Sequence, residues 1–267
     1  MKRNELLEGI YHKGQEKIWD GRDILQMLLA KHSGIQYTNR FVKQSVCRIF
    51  RMILKGEDAA WKISLQLGSM LKDVPARMAA TSQAHDEARH FYVMRDYLTL
   101  CDCGNIQPPK SVDTFLNTVM NTDDLIKKML GMQLMVEPVA LTIFQEIRKI
   151  NVEPVLSDLL LYYERDEARH VALGVNHLPT LMKDMNSVKL ISLLAWQFRL
   201  FMLELQGLSD MRYDFENIGL VPEDLFRFAE KRQLDALEKI ASELGWSQKI
   251  WKPLQGILQY QKKRILK

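Results

Sequence analysis

The chain has 267 residues, of which 47% are hydrophobic and 26% charged, a composition typical of a globular protein with a sizeable apolar core. The formal net charge of +4 is too small for a dedicated nucleic-acid-binding protein, so we expect no nucleic-acid partner. The start, MKRNELLEGI, lacks the apolar segment of a secretory signal. The most apolar stretch, LISLLAWQFRLFML, is interrupted by Gln197 and Arg199 and is too short to span a membrane. These features predict a cytoplasmic protein with no membrane span.

The three cysteines are typical of a reduced intracellular protein, because their number is odd and Cys101 and Cys103 lie too close together for the usual disulfide. The Cys101-x-Cys103 pair lies in a predicted loop and has no partner pair elsewhere, which argues against a structural metal site.

Helical periodicity dominates the sequence, and strand signals are nearly absent. In chain order the pattern predicts a short helix near 16–31 and four long helices near 37–72, 75–100, 112–149 and 152–178, the third with a break near 120. Three further helices are predicted near 186–207, 222–244 and 248–264. The segments CDCGNIQPPKSVD and LSDMRYDFENIGLVP are predicted loops. Prolines in a first turn mark helix starts at 73–75 and 151–154.

No linker is long enough or rich enough in glycine and serine to separate independent domains. We therefore predict that residues 1–267 form a single all-α domain. Its core is an antiparallel four-helix bundle over about 37–178, and the accessory C-terminal helices of about 186–264 pack against it.

A pentapeptide, Asp-Glu-Ala-Arg-His, occurs at 86–90 and again at 166–170. Each copy contains Glu-x-x-His, as Glu87 with His90 and Glu167 with His170. Residues three apart share one face of a helix, so one carboxylate and one imidazole of each copy can bind the same metal ion. Surface helices also contain this motif, and a face of ordinary ion pairs would explain the pentapeptide alone.

Two further glutamates separate these interpretations. Glu57 and Glu137 each precede the Glu of one repeat by thirty positions, and both lie in apolar helices. A carboxylate that faces a core is costly unless it has a partner. Thirty residues cover one helix, a turn and the return helix, so the chain comes back to the same level of the bundle. Together the two halves predict four carboxylates and two imidazoles around a pair of metal ions, and oxygen and nitrogen donors suit iron or manganese.

The other letters of the repeat have roles in this interpretation. Metal-bound histidines usually donate their second N–H to a carboxylate, and we expect Asp86 and Asp166 each to reach the histidine of the other repeat. Arg89 and Arg169 are expected to neutralise these aspartates.

This pattern resembles the ferritin-like di-iron carboxylate proteins, in the branch that contains monooxygenase hydroxylases, ribonucleotide reductase small subunits, related ligand-binding oxidases and acyl-carrier-protein desaturases. The matching part runs from about 40 to 178. The resemblance implies an O2-activating centre of two Fe ions, or of Mn and Fe, whose ligands match six residues here: Glu57, Glu87, His90, Glu137, Glu167 and His170. It also implies that Asp86 and Asp166 support these ligands.

Several positions depart from individual subfamilies. Met94 replaces the radical tyrosine of the reductase subunits, so a radical-generating role is disfavoured. Met132 and Ala59 occupy the positions of a Tyr–Val crosslink in the ligand-binding oxidases, and Leu141 replaces a threonine of the monooxygenases. Tyr163 stands where arylamine oxygenases have a third histidine. No subfamily fits throughout, so the substrate stays open.

Four secondary features have both a functional and a structural interpretation. Tyr163 and its counterpart Gln83 precede a ligand Glu by four positions, and Tyr163 is expected either to hydrogen-bond a ligand carboxylate or bound O2 or to be a core tyrosine. Pro138 opens the helix beside Glu137 or only kinks it. A group of methionines lines a substrate channel or, as we favour, packs in the core; it consists of Met120, Met129, Met132 and Met135. A basic face with Lys31, Arg40, Lys43, Arg48, Arg51 and Lys55 docks an acidic partner or, as we favour, is solvated.

The function expected from these observations is that of a non-haem di-iron oxygenase or oxidase that hydroxylates, desaturates or otherwise oxidises a hydrophobic or carrier-protein-bound organic substrate. Glu57, Glu137 and Tyr163 are the candidate catalytic residues. A reductase or ferredoxin is expected to supply electrons, because the chain has no nucleotide-binding loop and no iron–sulfur cysteine pattern. A homodimer is expected from the habit of the family. The alternative is a ferroxidase that handles iron without an organic substrate.

Overall fold

Helices make up most of the described part of the chain, which is residues 2–247 and 252–266 of a computed structural model, and these residues contain no strand. The all-α prediction is therefore confirmed. In chain order the helices are α1 (Lys2–Glu16), α2 (Gly21–Lys31), α3 (Arg40–Met70), α4 (Val74–Leu100), α5 (Lys110–Met120), α6 (Leu125–Gly131), α7 (Glu137–Ile150), α8 (Pro154–Met182), α9 (Ser187–Asp210), α10 (Arg212–Asn217), α11 (Pro222–Glu243) and α12 (Lys252–Ile265). A π-helical turn, Met132–Val136, joins α6 to α7. Among these helices, none is both long enough and apolar enough to cross a membrane.

Side-chain caps set the starts of the long helices. Asn39 accepts hydrogen bonds from two backbone amides of α3, Asp73 accepts one from α4, and Glu153 accepts two from α8, which satisfies amides that have no partner within the helix. Pro75 and Pro154 occupy the first turns of α4 and α8. Both helix starts predicted from proline are confirmed.

The bundle consists of α3, α4, α8 and the composite helix over residues 125–150. Short connections join α3 to α4 and α7 to α8, so the members of each pair run antiparallel, and α4 packs on α8 to join the pairs. Fully buried side chains such as Phe50, Ile63 and Phe144 fill the interior. The bundle therefore brings the middles of four helices to one level.

The remaining helices cover the bundle. At one side α1 and α2 pack on α4 and α8; at the other, α9 packs on α5 and α11 packs on α7 and α8. A Cβ atom on Gly14 would lie 2.3 Å from Ser82 Oγ, so glycine permits the close approach of α1 to α4. The apolar core is continuous from Leu7 in α1 to Leu266 after α12.

The helix predictions need two corrections. The predicted helix near 16–31 is α2, and the sequence pattern missed α1. The predicted break near 120 in the helix over 112–149 is confirmed at 121–124, and α5, before the break, packs on α9 and α3 outside the bundle. The predicted loop LSDMRYDFENIGLVP contains the end of α9 and all of α10, held by a contact that the sequence does not reveal: Asp214 accepts from Arg48 and Ser45. The predicted start of the last helix at 248 lies outside the described residues.

The expectation of three reduced cysteines is wrong. Cys47 in α3 and Cys103 in the loop after α4 form a disulfide with a Cα–Cα distance of 5.3 Å, whereas Cys101 is free and buried. The pairing depends on the antiparallel packing of α3 and α4, which brings together residues 56 positions apart, and the spacing of cysteines alone could not show it.

Candidate metal centre

Six side chains converge in the middle of the bundle. Glu57 comes from α3, Glu87 and His90 from α4, Glu137 from the start of α7, and Glu167 and His170 from α8, and none is more than 4% exposed. These are the six ligand residues expected from the sequence, and the structure brings all of them together.

Their atoms form two overlapping groups. In one group His90 Nδ1 lies 3.4 Å from Glu57 Oε2, 3.5 Å from Glu87 Oε2 and 3.3 Å from Glu167 Oε1. Within each group the ligand atoms all lie within 4.8 Å of one another.

The second group repeats this arrangement around the other histidine. His170 Nδ1 lies 3.0 Å from Glu87 Oε1, 3.7 Å from Glu137 Oε1 and 3.2 Å from Glu167 Oε2. Glu87 and Glu167 thus present one oxygen to each group. That is the arrangement in which two carboxylates bridge a pair of metal ions.

The inward-facing atoms have too few protein partners. Glu87 Oε2 and His90 Nδ1 are buried without a hydrogen bond, although buried polar groups nearly always have one. A cation between these atoms would satisfy both at once. The donor set of carboxylate oxygens and imidazole nitrogens also fits iron or manganese, so the residues present fit a pair of such ions.

The second nitrogen of each histidine meets an aspartate of the other repeat. His90 Nε2 lies 3.1 Å from Asp166 Oδ2, and His170 Nε2 lies 3.4 Å from Asp86 Oδ2, so the cross-repeat contacts expected from the sequence are present. An aspartate that accepts from Nε2 leaves the lone pair on Nδ1, which points to the centre of the bundle.

The two arginines of the repeats link the two aspartates. Arg89 donates to both Asp86 and Asp166, and Arg169 also donates to both, at distances from 2.5 to 2.9 Å. All four side chains are buried or nearly so. Each anionic carboxylate therefore sits between two cations and a histidine, and the pKa values of both aspartates are lowered despite their burial.

Trp19, which the sequence analysis did not single out, completes this network. Its Nε1 donates to Asp166 Oδ2 at 2.8 Å, and Arg89 stacks over its ring at 4.7 Å. Trp19 lies between α1 and α2, outside the repeated motif, so only the packing of the N-terminal helices on the bundle reveals its contact.

Protons occupy part of the site when no metal is present. Burial raises the pKa of Glu57 to about 8, and burial together with Glu167 and Glu87 raises that of Glu137. Burial would lower the pKa of His90, but the nearby carboxylates of Asp166 and the surrounding glutamates outweigh it and raise the pKa well above its ordinary value. The site thus retains positive charge in the form of protons, which metal ions would displace.

Of the two interpretations of Tyr163, the structure shows the core tyrosine and not the contact with a ligand carboxylate. Its hydroxyl donates to the backbone oxygen of His90 at 2.7 Å, and its ring stacks on that of His90 with centroids 4.2 Å apart. The counterpart, Gln83, makes the contact instead: its amide donates to Glu137 Oε1 at 2.7 Å and to Glu87 Oε1 at 3.2 Å.

The π-helical turn precedes Glu137 and Pro138. Proline has no N–H, and its ring would collide with the carbonyl group four residues earlier in a regular helix; in the π-helical turn Glu137 N–H instead bonds Met132 O, five residues back. Met135 O, within the turn, accepts from the Gln233 side-chain amide at 3.3 Å. Pro138 therefore adjoins an irregular turn beside a candidate ligand, which both of its interpretations allow.

A cavity of about 100 Å³ adjoins the centre on the side of α5, α7 and α9. The four glutamates Glu57, Glu87, Glu137 and Glu167 line one wall, and the rest of the wall is largely apolar. The apolar part includes Met52, Ile53, Phe115, Leu116, Ile143, Leu208 and Phe215. Half-buried members of the lining, such as Gly56 and Ala140, place one end of the cavity near the surface.

A fifth carboxylate on this cavity was missed by the sequence analysis. Glu204 of α9 lines it and is 6% exposed, and its Oε2 accepts from Gln233 Nε2 of α11 at 3.0 Å. Both residues lie outside the four-helix core, and no sequence motif connects them with it.

Two other predictions concern the surroundings. The methionine group does not line the cavity: Met129, Met132 and Met135 are fully buried in the core.

In the basic face, Arg48 pairs with Asp214 and Arg51 donates to the backbone oxygen of Cys103, so part of this charge is already used within the chain.

No protein-family model matches the chain, and no curated protein sequence matches it significantly. Solved structures match over most of its length. A protein from Synechococcus with aldehyde deformylating oxidase activity aligns with a TM-score of 0.61 and 13% identity, over 82% of this chain and 98% of that chain. An R2-like ligand-binding oxidase with an aerobically reconstituted Mn/Fe cofactor aligns with a TM-score of 0.57 and 16% identity, over 97% of this chain and 92% of that chain. These similarities establish the fold, and they agree with the all-α bundle expected from the sequence.

Proposed function

We propose that this protein is an O2-dependent oxidoreductase with a cofactor of two metal ions, iron with iron or manganese with iron. The observation that carries the proposal is the pair of overlapping donor groups that share Glu87 and Glu167. The similar structures support it, because one has aldehyde deformylating oxidase activity and another carries a Mn/Fe cofactor.

In this proposal Glu57 and His90 hold one ion, Glu137 and His170 hold the other, and Glu87 and Glu167 bridge the pair. Two redox-active ions in this place supply the electron transfers that O2 reduction and substrate oxidation require. Glu57 and Glu137 each belong to only one of the two donor groups, and they line the cavity together with Glu87 and Glu167. We keep these two as the candidate catalytic carboxylates.

The other residues position this centre. Asp86 and Asp166, held by Arg89 and Arg169, orient the two histidines, and Gln83 orients Glu137 through its amide. Tyr163 fixes the ring of His90 by stacking and by its hydrogen bond to the backbone. We therefore assign Tyr163 a positioning role in place of the direct catalytic role first expected.

The cavity favours an oxidase with an organic substrate over the ferroxidase alternative. Iron ions need a polar path, whereas the lining beside the glutamates is largely apolar, and apolar pockets with a few polar groups are typical of sites for organic molecules. We propose hydroxylation, desaturation or a similar oxidation of a hydrophobic or carrier-bound substrate. An external reductase or ferredoxin, a homodimer and a cytoplasmic location stay predictions from the sequence.

The proposal is tested by loading the metal-free chain with Fe(II) without O2, counting the bound iron, and then admitting O2 while absorption is recorded. We expect about two irons per chain and an absorption change that requires O2. Glu57→Ala and Glu137→Ala should each lose iron.

Glu164→Gln is the matched control, because Glu164 is a mostly buried carboxylate of α8 that pairs with Arg148 outside the centre; its iron content should equal that of the wild type. No iron bound, or iron bound without any response to O2, would refute the proposed function.

A further inference from the structure

Glu204, on the α9 wall of the cavity, is paired with Gln233 of α11, which does not itself line the cavity. Glu204 is the one charged residue in the cavity lining besides the four glutamates of the metal centre. Among the described residues Glu204 has no ion-pair partner, and its only hydrogen bond comes from Gln233. The cavity thus has carboxylates at the metal centre and one separate carboxyl group on the α9 wall, with an apolar surface around them.

Two polar atoms of this pair have no partner. Glu204 Oε1 and Gln233 Oε1 are buried and make no hydrogen bond, although Gln233 Nε2 is used twice, toward Glu204 Oε2 and toward Met135 O. Gln233 contacts Met135 O of the π-helical turn directly, whereas among the described residues the only hydrogen bond of Glu204 is the one from Gln233. A leucine at position 204 would fill the same apolar wall without a desolvation cost, which indicates that the carboxyl group serves a ligand.

The surroundings of Glu204 favour its neutral form. Burial raises the pKa of Glu204 to about 8, and the carboxylate of Glu230 on α11 acts in the same direction. A protonated carboxyl group both donates and accepts a hydrogen bond. It therefore suits a neutral hydroxyl or carbonyl group better than an ammonium ion, whose binding would require two desolvated charges.

We propose that Glu204, held by Gln233, is a substrate-binding residue whose carboxyl group hydrogen-bonds the hydroxyl or carbonyl group of a small, otherwise apolar molecule in this cavity. The proposal rests on the proposed function in that it takes this molecule to be the substrate. With its polar group at α9, such a molecule has its apolar part against the glutamates of the metal centre.

The size of the cavity agrees with a small ligand. A buried apolar cavity of about 150 Å³ accepts one benzene molecule, and this cavity measures about 100 Å³. Gly56 and Ala140 place one end of the cavity near the surface, so a short aliphatic chain with its polar end inside extends toward that opening, and hexanol and hexanal are suitable probes. Hexylamine is the cationic counterpart of the same length.

The test measures binding of these three probes to the full chain by calorimetry, both metal-free and loaded with Fe(II) in the absence of O2, so that no turnover occurs. The wild type should bind hexanol and hexanal more tightly than hexylamine. Glu204→Leu should weaken hexanol binding about tenfold, whereas Glu204→Gln, which keeps a neutral hydrogen-bonding group of similar size, should stay within about threefold of the wild type.

Glu164→Gln is the matched control here too, because Glu164 is a mostly buried carboxylate of α8 that pairs with Arg148 and does not line the cavity. It should bind hexanol like the wild type. Thermal unfolding and iron content of each variant show whether it is folded and has its metal centre.

Three results would overturn the proposal. The first is no hexanol binding by the wild type, and the second is unchanged hexanol binding by Glu204→Leu. The third is that the wild type binds hexylamine more tightly than hexanol and that Glu204→Gln no longer binds hexylamine. These results are independent of the proposed function, which fails on the iron count and on the response to O2. Hexanol binding that depends on Glu204 in a chain that binds no iron would separate the two.

Discussion

At the scale of single residues, the centre depends on groups that do not touch the metal ions themselves. Asp166 accepts hydrogen bonds from Trp19, His90, Arg89 and Arg169. Asp86 accepts hydrogen bonds from His170 and the same two arginines. The two halves of the repeat thus cross over, since each aspartate serves the histidine of the other half. Loss of one aspartate should therefore affect the opposite ion of the pair.

Asp166→Asn tests this crossing. The amide keeps the shape of the side chain but weakens the acceptor for His90 Nε2, and loss of such an orienting partner typically lowers metal affinity about 10–100-fold. We expect the ion beside His90 to bind weakly and the ion beside His170 to bind nearly as in the wild type. Titration with Mn(II) measures both affinities.

The matched control for this variant is Asp158→Asn. Asp158 lies on the same helix but pairs with Lys31 and His32 at the surface, so both ions should bind normally. Equal and full occupancy in Asp166→Asn would contradict the orienting role.

Metal affinity should rise with pH. In the metal-free protein the raised pKa values of Glu57, Glu137 and the two histidines keep protons in the site near neutrality. Metal binding must displace these protons, so higher pH removes a competitor, and the contribution of Glu57 levels off as the pH passes about 8, the pKa of its carboxyl group. Mn(II) affinity measured between about pH 6 and about pH 8.5 should increase steadily, and a constant affinity would be inconsistent with protonated ligands.

At the scale of elements, the π-helical turn sets the position of Glu137. The turn passes close to α8 at Gly174, where an added Cβ would lie 2.4 Å from Gln133 Cβ. Gln133 in turn donates to Gln83, which donates to Glu137. Close packing of the turn on α8 is therefore part of the support of the centre.

Gly174→Ala should destabilise the protein by about 1–3 kcal/mol, because the extra methyl group forces the turn away from α8. Gly68→Ala is the control: it is also within a long helix, its added Cβ would come no closer than 3.7 Å to Thr81 Oγ1, and alanine there should stabilise the helix by up to about 1 kcal/mol. Chemical unfolding measures both. Similar stabilities of the two variants would show that the turn can shift freely.

The metal centre could be predicted from the sequence because its information is local and repeated. The spacing within Glu-x-x-His and the thirty-residue step to Glu57 and Glu137 both follow from helix geometry, which each segment determines by itself. The fold class followed for the same reason. The sequence left two interpretations of Tyr163 open, because a position on the ligand face does not decide which acceptor the hydroxyl group reaches.

The features that the sequence did not reveal depend on contacts between distant segments. Trp19 contacts Asp166 only when the N-terminal helices pack on the bundle. Glu204 reaches the cavity only when α9 packs on α5. The Cys47–Cys103 disulfide likewise needs α3 and α4 in place. None of these residues belongs to a repeated motif, and the segment of α1, with its many charged residues, gave a weak helical pattern.

At the scale of the whole molecule, the bundle and its covering helices have separate tasks. The bundle provides the six candidate ligands, and residues of α5, α9 and α10 complete the wall of the cavity beside them. Because one apolar core extends through both parts, we propose that the chain is a single domain, as expected from the sequence. The cavity is then a product of the entire chain.

Gly56→Leu tests the cavity. Gly56 lies inside α3 at the cavity wall, and an added Cβ meets no atom within 4 Å, so a larger side chain has room to occupy the space of a ligand. We expect hexanol binding to fall more than about tenfold while the iron content stays the same. Stability should not decrease, since glycine within a helix costs about 1 kcal/mol relative to alanine.

Lys55→Leu provides the control, because it introduces the same side chain at the neighbouring, exposed position. It should leave hexanol binding unchanged. Full hexanol binding by Gly56→Leu would place the ligand elsewhere.

The central prediction is that two metal ions bind between the two repeats. Anomalous X-ray diffraction from crystals of the Fe-loaded protein tests this prediction directly. We predict two iron peaks about 3.5–4 Å apart, one beside His90 Nδ1 and Glu57, the other beside His170 Nδ1 and Glu137, with Glu87 and Glu167 in contact with both. A single peak, or iron found only outside the bundle, would contradict the dinuclear centre.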